Sequence, residues 1–255
     1  MKIALFVPCY IDQFYPHVAV AALRVLERLG VDVAIPAGAV CCGQPPSNAG
    51  FARESMPVMA RFVETFGPYE RVVVLSGSCA AHIRAHADDA GSSSGIHCAG
   101  TASRTVEFCA FLHDEVGLRA VASLGASFPR RVGLHVGCHA LRGLGLARPS
   151  EIQAPPFNKV RALLQTVYGL EFAEPARADE CCGFGGTFAV AEPDVSAKMG
   201  RDRLRDYGSH QASVIVSTDV SCLMHLDGLA RRDGVAMSMR HVAEVLASVP
   251  PGAAP

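Results

Sequence analysis

Cys41-Cys42-Gly43 occurs in the first half of this 255-residue chain, and the same three residues return in the second half as Cys181-Cys182-Gly183. The similarity extends outward from both pairs, because one lone cysteine precedes each pair and another follows it. The two sets, in the same order, are Cys9, Cys41, Cys42 and Cys79, and then Cys138, Cys181, Cys182 and Cys222. Self-similarity on this scale indicates an internal duplication.

The segments around the cysteines also recur, and they alternate between strand and helix patterns. In each half an apolar strand leads to the lone cysteine, and the helix that follows has one apolar stripe and ends at Gly30 or Gly169. The predicted strands are 3–9, 31–35 and 72–75, then 132–138, 170–173 and 214–216. The predicted helices are 18–29 and 53–66, then 157–167 and 194–207, with a closing helix at 104–107 and at 241–244. We therefore predict an α/β fold of two similar domains, each a mainly parallel sheet flanked by helices.

Glycine and proline place the boundary between the halves. The pattern is interrupted near 123–131, which contains Gly125, Pro129 and two arginines. We predict a first cysteine-rich domain at 1–125, a second at 130–249 and a disordered tail at 250–255. A glycine-flanked run of three serines at 91–95 predicts a mobile loop.

Composition argues against several functions. The chain is 50% hydrophobic and 18% charged, with a formal net charge of -1, so no nucleic-acid or acidic-membrane partner is expected. No apolar stretch approaches the roughly 20 residues of a membrane span, and the N-terminus lacks a signal-peptide pattern. The chain has no phosphate-binding Walker loop, and 183–188 lacks the last glycine of the dinucleotide fingerprint. We expect a cytoplasmic protein without direct membrane insertion.

The cysteine sets indicate a metal centre in each half. Each cysteine follows a predicted strand, and the carboxyl ends of parallel strands meet at one sheet edge, so four distant thiols can converge there. Adjacent cysteines suit a target with several iron atoms, which favours iron–sulfur clusters, one or two in number. Zinc bound by four thiolates is an alternative for either site. Cys98 and Cys109 lie outside both sets, and we interpret them as buried free cysteines.

Polar residues beside the cysteines carry weaker signals. His135 and His139 flank Cys138, and His225 follows Cys222; each is interpreted as a hydrogen-bonding neighbour in preference to a ligand. Arg142 would either bind an anionic substrate or offset the charge of a cluster. No catalytic residue can be named from the sequence.

The order of these motifs resembles the cysteine-rich CCG-domain family, whose members are found in heterodisulfide reductase and in the iron–sulfur component of glycolate oxidase. Within that family the pattern is more similar to the lactate-utilisation A proteins. The resemblance rests on 41–45, 76–81, 181–188 and 222–224, and it spans nearly the whole chain. It implies an iron–sulfur protein with clusters of the 4Fe-4S type, whose ligands are the eight cysteines of the two sets. It also implies two partner proteins, with which the protein oxidises L-lactate to pyruvate and transfers electrons.

The sequence departs from the heterodisulfide reductase pattern at two positions. The last motif of those relatives is a Cys-x-x-Cys pair, and its first cysteine is here replaced by Ser76 and by Asp219. Four sulfurs per set remain, enough for a four-iron cluster or a zinc ion. A heterodisulfide reductase-like or glycolate oxidase-like component, and a zinc-stabilised scaffold without a redox role, stay open as alternatives.

Overall fold

The computed structural model describes residues 2–38, 41–95 and 100–249. The predicted tail at 250–255 and Cys98 lie outside the described residues. Among the helices of the described part, none is both long and apolar enough to cross a membrane.

The first half alternates strands and helices around one sheet. Its elements are β1 (Lys2–Phe6), α1 (Cys9–Phe14), α2 (Pro16–Arg28), β2 (Asp32–Ala34), α3 (Gln44–Asn48), α4 (Ala52–Phe66), β3 (Val72–Val74), α5 (Gly77–Ser93), α6 (Thr101–Arg104), β4 (Thr105–Glu107), α7 (Phe108–Phe111), a π-helical turn (Leu112–Val116) and α8 (Leu118–Ala122). The strands lie in the order β2-β1-β3-β4, and every neighbouring pair is parallel.

The second half repeats this arrangement. Its elements are β5 (Arg131–His135), a π-helical turn (His139–Gly143), α9 (Lys159–Leu164), β6 (Glu171–Ala173), α10 (Phe188–Ala191), α11 (Pro193–Ser209), β7 (Val214–Ser217), α12 (Val220–Arg232), β8 (Ser238–His241) and α13 (Val242–Leu246). The order β6-β5-β7-β8 is again wholly parallel. The predicted α/β fold with two similar parallel sheets is therefore confirmed.

Local sequence explains why the elements end where they do. β3 is apolar on both faces and fully buried, as a central strand between two helical layers must be. Gly30, with a left-handed φ angle of 74°, follows the last turn of α2 and ends that helix as predicted. Gly169 also has a left-handed φ angle, 75°, but α9 already ends at Leu164, so the prediction that Gly169 ends this helix was wrong. Each glycine reverses the chain towards the second strand of its sheet.

The two halves share one hydrophobic core. A single cluster of buried side chains runs from Ile3 and Leu5 of the first sheet to Val132 and Leu134 of the second. The short closing helices pack against the opposite half: α13 of the second half contacts α2 of the first, and α7 of the first half contacts α9 of the second. Each half therefore covers part of the other, which brings the strand ends of both sheets close together.

Three further predictions about elements were wrong. Thr105–Glu107 is a strand, and the closing helix begins only after it; in the second half the strand ends at His241. The proposed mobile loop begins inside α5, which continues to Ser93. Phe157, placed in a buried helical stripe, lies before α9 and is half exposed.

Candidate metal centre

The first cysteine set converges at the carboxyl ends of the first sheet. Cys9 begins α1, the pair Cys41-Cys42 immediately precedes α3, and Cys79 lies in the first turn of α5. The Cys9 thiol donates to the Cys41 sulfur over 4.0 Å, and the Gly43 amide donates to the same sulfur at 3.4 Å. Gly43 has a φ of 82°, which turns its amide back towards that sulfur.

These contacts concentrate negative charge on Cys41. Hydrogen bonds from Cys42 and from Cys9 lower the pKa of the Cys41 thiol to about 2. The pKa of Cys9 is raised, first by its hydrogen bond to Cys41 and then by burial, and that of Cys42 is raised by its hydrogen bonds to Cys41 and Cys79 and by burial. Binding a cation to these sulfurs would release protons from Cys9 and Cys42.

The second cysteine set repeats this geometry. Cys138 leads into the π-helical turn after β5, and Cys222 lies in the first turn of α12. The Gly183 amide donates to the Cys181 sulfur at 3.4 Å, and the Phe184 amide donates to the Cys182 sulfur at 3.5 Å. Hydrogen bonds from Cys138 and Cys182 lower the pKa of Cys181 to about 2, whereas the pKa values of Cys138 and Cys182 are raised.

Both sets face the same cavity, whose volume is about 130 Å³. The sequence placed each set at its own sheet edge but could not show that the edges meet. Seven of the eight predicted residues line the cavity: Cys9, Cys42, Cys79, Cys138, Cys181, Cys182 and Cys222. The eighth, Cys41, contacts the set through Cys9. Tyr10 and Phe184 pack edge to face across the cavity, with ring centroids 6.1 Å apart.

The two positions that lack the extra cysteine of the heterodisulfide reductase pattern contact each other. Ser76 and Asp219 occupy equivalent positions, each as the residue before a helix, α5 or α12. The Ser76 hydroxyl donates to Asp219 Oδ1 at 3.3 Å, and the Ser78 amide donates to Asp219 Oδ2 at 2.8 Å. Ser221 adds a further bond to Oδ1 at 2.8 Å. The missing thiols are thus replaced by a polar link between the halves, at the wall of the cavity.

The flanking histidines behave differently from one another. The His225 ring bonds the Ser196 carbonyl at 3.3 Å, and the His139 ring lies 3.3 Å from the Gln44 side-chain amide. His135 is fully buried, and neither of its ring nitrogens has a hydrogen-bond partner among the residues that the structure describes. Burial, and then the charge of Arg203, lower the pKa of His135 to about 3, so the ring is neutral.

His135 also lies next to thiols. Its ligand nitrogen and the sulfurs of Cys182 and Cys222 are all within 4.8 Å of one another. A histidine near the first set, His82, was not singled out from the sequence; it is buried three residues after Cys79, and burial lowers its pKa to about 4. The sequence feature that could have identified His82 is its spacing of one helical turn from Cys79, a predicted ligand.

The structure bears on two further interpretations. Cys109 is fully buried in the shared core, which confirms it as an apolar cysteine outside the sets. Arg142 is paired with carboxylates, at 2.6 Å from Glu151 and 3.4 Å from Asp179. Those pairs already neutralise the guanidinium, which disfavours a role for it in binding an anionic substrate.

The chain belongs to the CCG cysteine-rich domain family: two stretches, 3–84 and 132–227, match that domain. The same comparison confirms that the domain occurs twice. Among curated relatives, the lactate utilization protein A of Oceanobacillus iheyensis is 34% identical over 251 residues, covering 96% of each chain. The proteins of the same name from Bacillus licheniformis and Bacillus subtilis are 35% and 34% identical, covering 97% of this chain and 100% of their own.

The residues at the cavity fit a thiophilic metal group. Four thiols per set and backbone amides directed at sulfur are the surroundings in which proteins hold iron–sulfur clusters. The Cys9 and Cys41 sulfurs are 4.0 Å apart, but no third sulfur of the first set, whose four cysteines are all described, lies within 4.8 Å of both, so the first set is wider than a zinc–thiolate tetrahedron, whose edge is roughly 3.8 Å. The clustered cysteines therefore suggest metal or iron–sulfur binding.

Proposed function

We propose that this protein is an iron–sulfur electron carrier that takes part in the oxidation of L-lactate to pyruvate. The observation that carries the proposal is the convergence of both cysteine sets on one cavity, in a chain similar over nearly its whole length to proteins named for lactate utilization. Cys9, Cys41, Cys42 and Cys79 would hold one cluster, and Cys138, Cys181, Cys182 and Cys222 the other. Clusters of the 4Fe-4S type would supply one-electron oxidation and reduction.

The surroundings of the thiols support electron transfer. Cys42 and Cys182 are almost completely buried, so a group bound there would be shielded from water. The amides of Gly43, Gly183 and Phe184 already point at sulfur, and such hydrogen bonds stabilise the more negative, reduced state of a cluster. Two centres facing one cavity would also let electrons pass from one half to the other.

Partner proteins belong to the same proposal. The resemblance to the lactate-utilisation A proteins implies two partner proteins, which would work with this chain in oxidising lactate and passing on the electrons. The complex would work in the cytoplasm.

Gene deletion followed by complementation tests this function. Cells lacking the protein should lose growth on L-lactate but retain growth on pyruvate, because only the oxidation step is missing. Wild-type protein should restore growth, and the Cys42→Ser and Cys182→Ser variants should not. Unchanged growth of the deletion strain on lactate would sink the proposal.

A zinc-stabilised scaffold is the second candidate, favoured by the second half, where the ligand atoms of His135, Cys182 and Cys222 lie within 4.8 Å of one another. In that case the protein would organise its partners without carrying electrons. Dithionite reduction of the anaerobically purified protein alone distinguishes the two candidates, because an iron–sulfur protein loses visible absorbance when it is reduced, whereas a zinc protein has no visible absorbance to lose. The heterodisulfide reductase-like alternative is less well supported, because Ser76 and Asp219 replace the fifth thiol of each set.

A further inference from the structure

Phe6 and His135 occupy the same position in the two halves. Each is the last residue of the first strand in its sheet, and each lies three residues before a lone cysteine. Phe6 packs edge to face on Phe62 and Phe66, with ring centroids 5.1 Å and 5.4 Å away. The side chains at this position of the first half and around it on α4 are therefore aromatic and apolar.

The equivalent side chains in the second half are polar. Arg203 and Tyr207, four residues apart on α11 as Phe62 and Phe66 are on α4, are both fully buried. Arg203 donates to the Tyr207 hydroxyl and to the Arg177 carbonyl, and the Tyr207 hydroxyl donates to the Leu134 carbonyl at 2.8 Å. Arg203 also lies 3.3 Å from Asp206. These bonds satisfy the tyrosine and most of the guanidinium, and none of them involves His135.

His135 is consequently a buried polar ring with an unmet need for a partner. Proteins seldom bury such a ring unpaired, because it loses its hydrogen bonds to water. The groups beside it are the sulfurs of Cys182 and Cys222, within 4.8 Å, which are weak hydrogen-bond acceptors. A neutral imidazole between thiols is instead a common arrangement for binding a metal.

We infer that His135 is an imidazole ligand of the metal centre in the second half, so that this centre has mixed nitrogen and sulfur ligation. The first centre, with Phe6 at the equivalent position, has sulfur ligands alone. The inference rests on the proposed metal binding, and it makes the two duplicated sites chemically different.

Isotope labelling of the unmutated protein provides the direct test. Holoprotein is purified anaerobically after growth with natural or ¹⁵N-labelled histidine, and the reduced centres are examined by pulsed electron paramagnetic resonance. A directly bound imidazole should give a strong nitrogen coupling that changes with the label. If the metal is zinc, X-ray absorption at the zinc edge gives the numbers of nitrogen and sulfur neighbours.

Two variants then identify the histidine. His135→Phe, which copies the first half, should abolish the nitrogen signal, whereas the control His225→Gln should keep it, because His225 already bonds the Ser196 carbonyl. Loss of the second centre in His135→Phe together with a label-sensitive signal in the wild type would also support the inference. Bound metal with sulfur ligation only, in the wild type, would overturn the inference and leave the proposed function intact. Absence of metal from the wild type would overturn both.

Discussion

The two halves of this molecule share a frame and differ in what lies behind their cysteines. In the first half the wall is the aromatic trio Phe6, Phe62 and Phe66, and in the second the same positions hold His135, Arg203 and Tyr207. A buried guanidinium near a cluster stabilises its reduced, more negative state, whereas an apolar wall does not. The two halves therefore keep their thiols at equivalent positions, while the side chains behind the thiols differ.

The largest expected effect is the loss of metal from one half at a time. Cys42→Ser should remove the metal of the first centre and Cys182→Ser that of the second, because each buried thiol is central to its own set. Each variant should lose about half of the metal and keep the spectrum of the other centre. Cys109→Ala, outside both sets, is the control and should keep all of it. Complete loss from either variant would mean that the sets act as one site.

The second effect concerns the glycine after each double cysteine. An added Cβ at Gly183 would lie 2.5 Å from the Ser196 carbonyl oxygen, whereas at Gly43 the nearest atom is 3.1 Å away. Both residues have left-handed φ angles. We expect Gly183→Ala to lower the free energy of unfolding by roughly 2–5 kcal/mol, from strain and overlap together, and Gly43→Ala by about 1–2 kcal/mol.

Urea unfolding measures both glycine variants. Gly50→Ala is the matched control, because Gly50 has the same backbone conformation and no atom near its Cβ position. Its cost should be strain alone, about 1–2 kcal/mol. Equal costs for Gly43→Ala and Gly183→Ala would contradict the closer packing around the second centre.

The third effect tests the polar link between the halves. Asp219 accepts hydrogen bonds from Ser76, Ser78 and Ser221, so Asp219→Ala should lower the free energy of unfolding by about 1–3 kcal/mol. Ser76→Ala removes the bond to Asp219 and the bond that the Ser76 hydroxyl accepts from the Cys79 amide, both 3.3 Å long, and should cost about 0.5–2 kcal/mol. Thermal unfolding of the two variants gives the comparison. A larger cost for Ser76→Ala would show that Asp219 is not the centre of the link.

The smallest effect concerns Arg142, four residues after Cys138, where the first half has Gln13 four residues after Cys9. Its ion pairs with Glu151 and Asp179 are largely exposed. Arg142→Gln should therefore change the free energy of unfolding by less than about 1 kcal/mol and leave the metal content unchanged. Loss of metal from this variant would instead assign the arginine a role in holding the centre.

Repetition made much of this architecture predictable. Two copies of the same strand, glycine and cysteine pattern indicated two parallel sheets and which thiols converge at each edge. The short segments were harder, because three residues such as Thr105–Glu107 carry no usable period, and their pairing with Val72–Val74 is decided by the sheet.

The relation between the halves could not be predicted from local pattern. The packing of α13 on α2 and of α7 on α9 is tertiary structure. This packing brings the two sheet edges together around one cavity. The surroundings of His135 also depend on the tertiary fold. The sequence shows Cys138 three residues later, but it could not show that the sulfurs of Cys182 and Cys222 lie within 4.8 Å of the His135 ring.

Metal analysis of the anaerobically purified wild-type protein tests the central claim most directly. We predict iron and acid-labile sulfide in equal amounts, about four of each per occupied centre, with visible absorbance and little zinc. Zinc without sulfide, or no metal at all, would contradict the assignment of the two cysteine sets to iron–sulfur clusters.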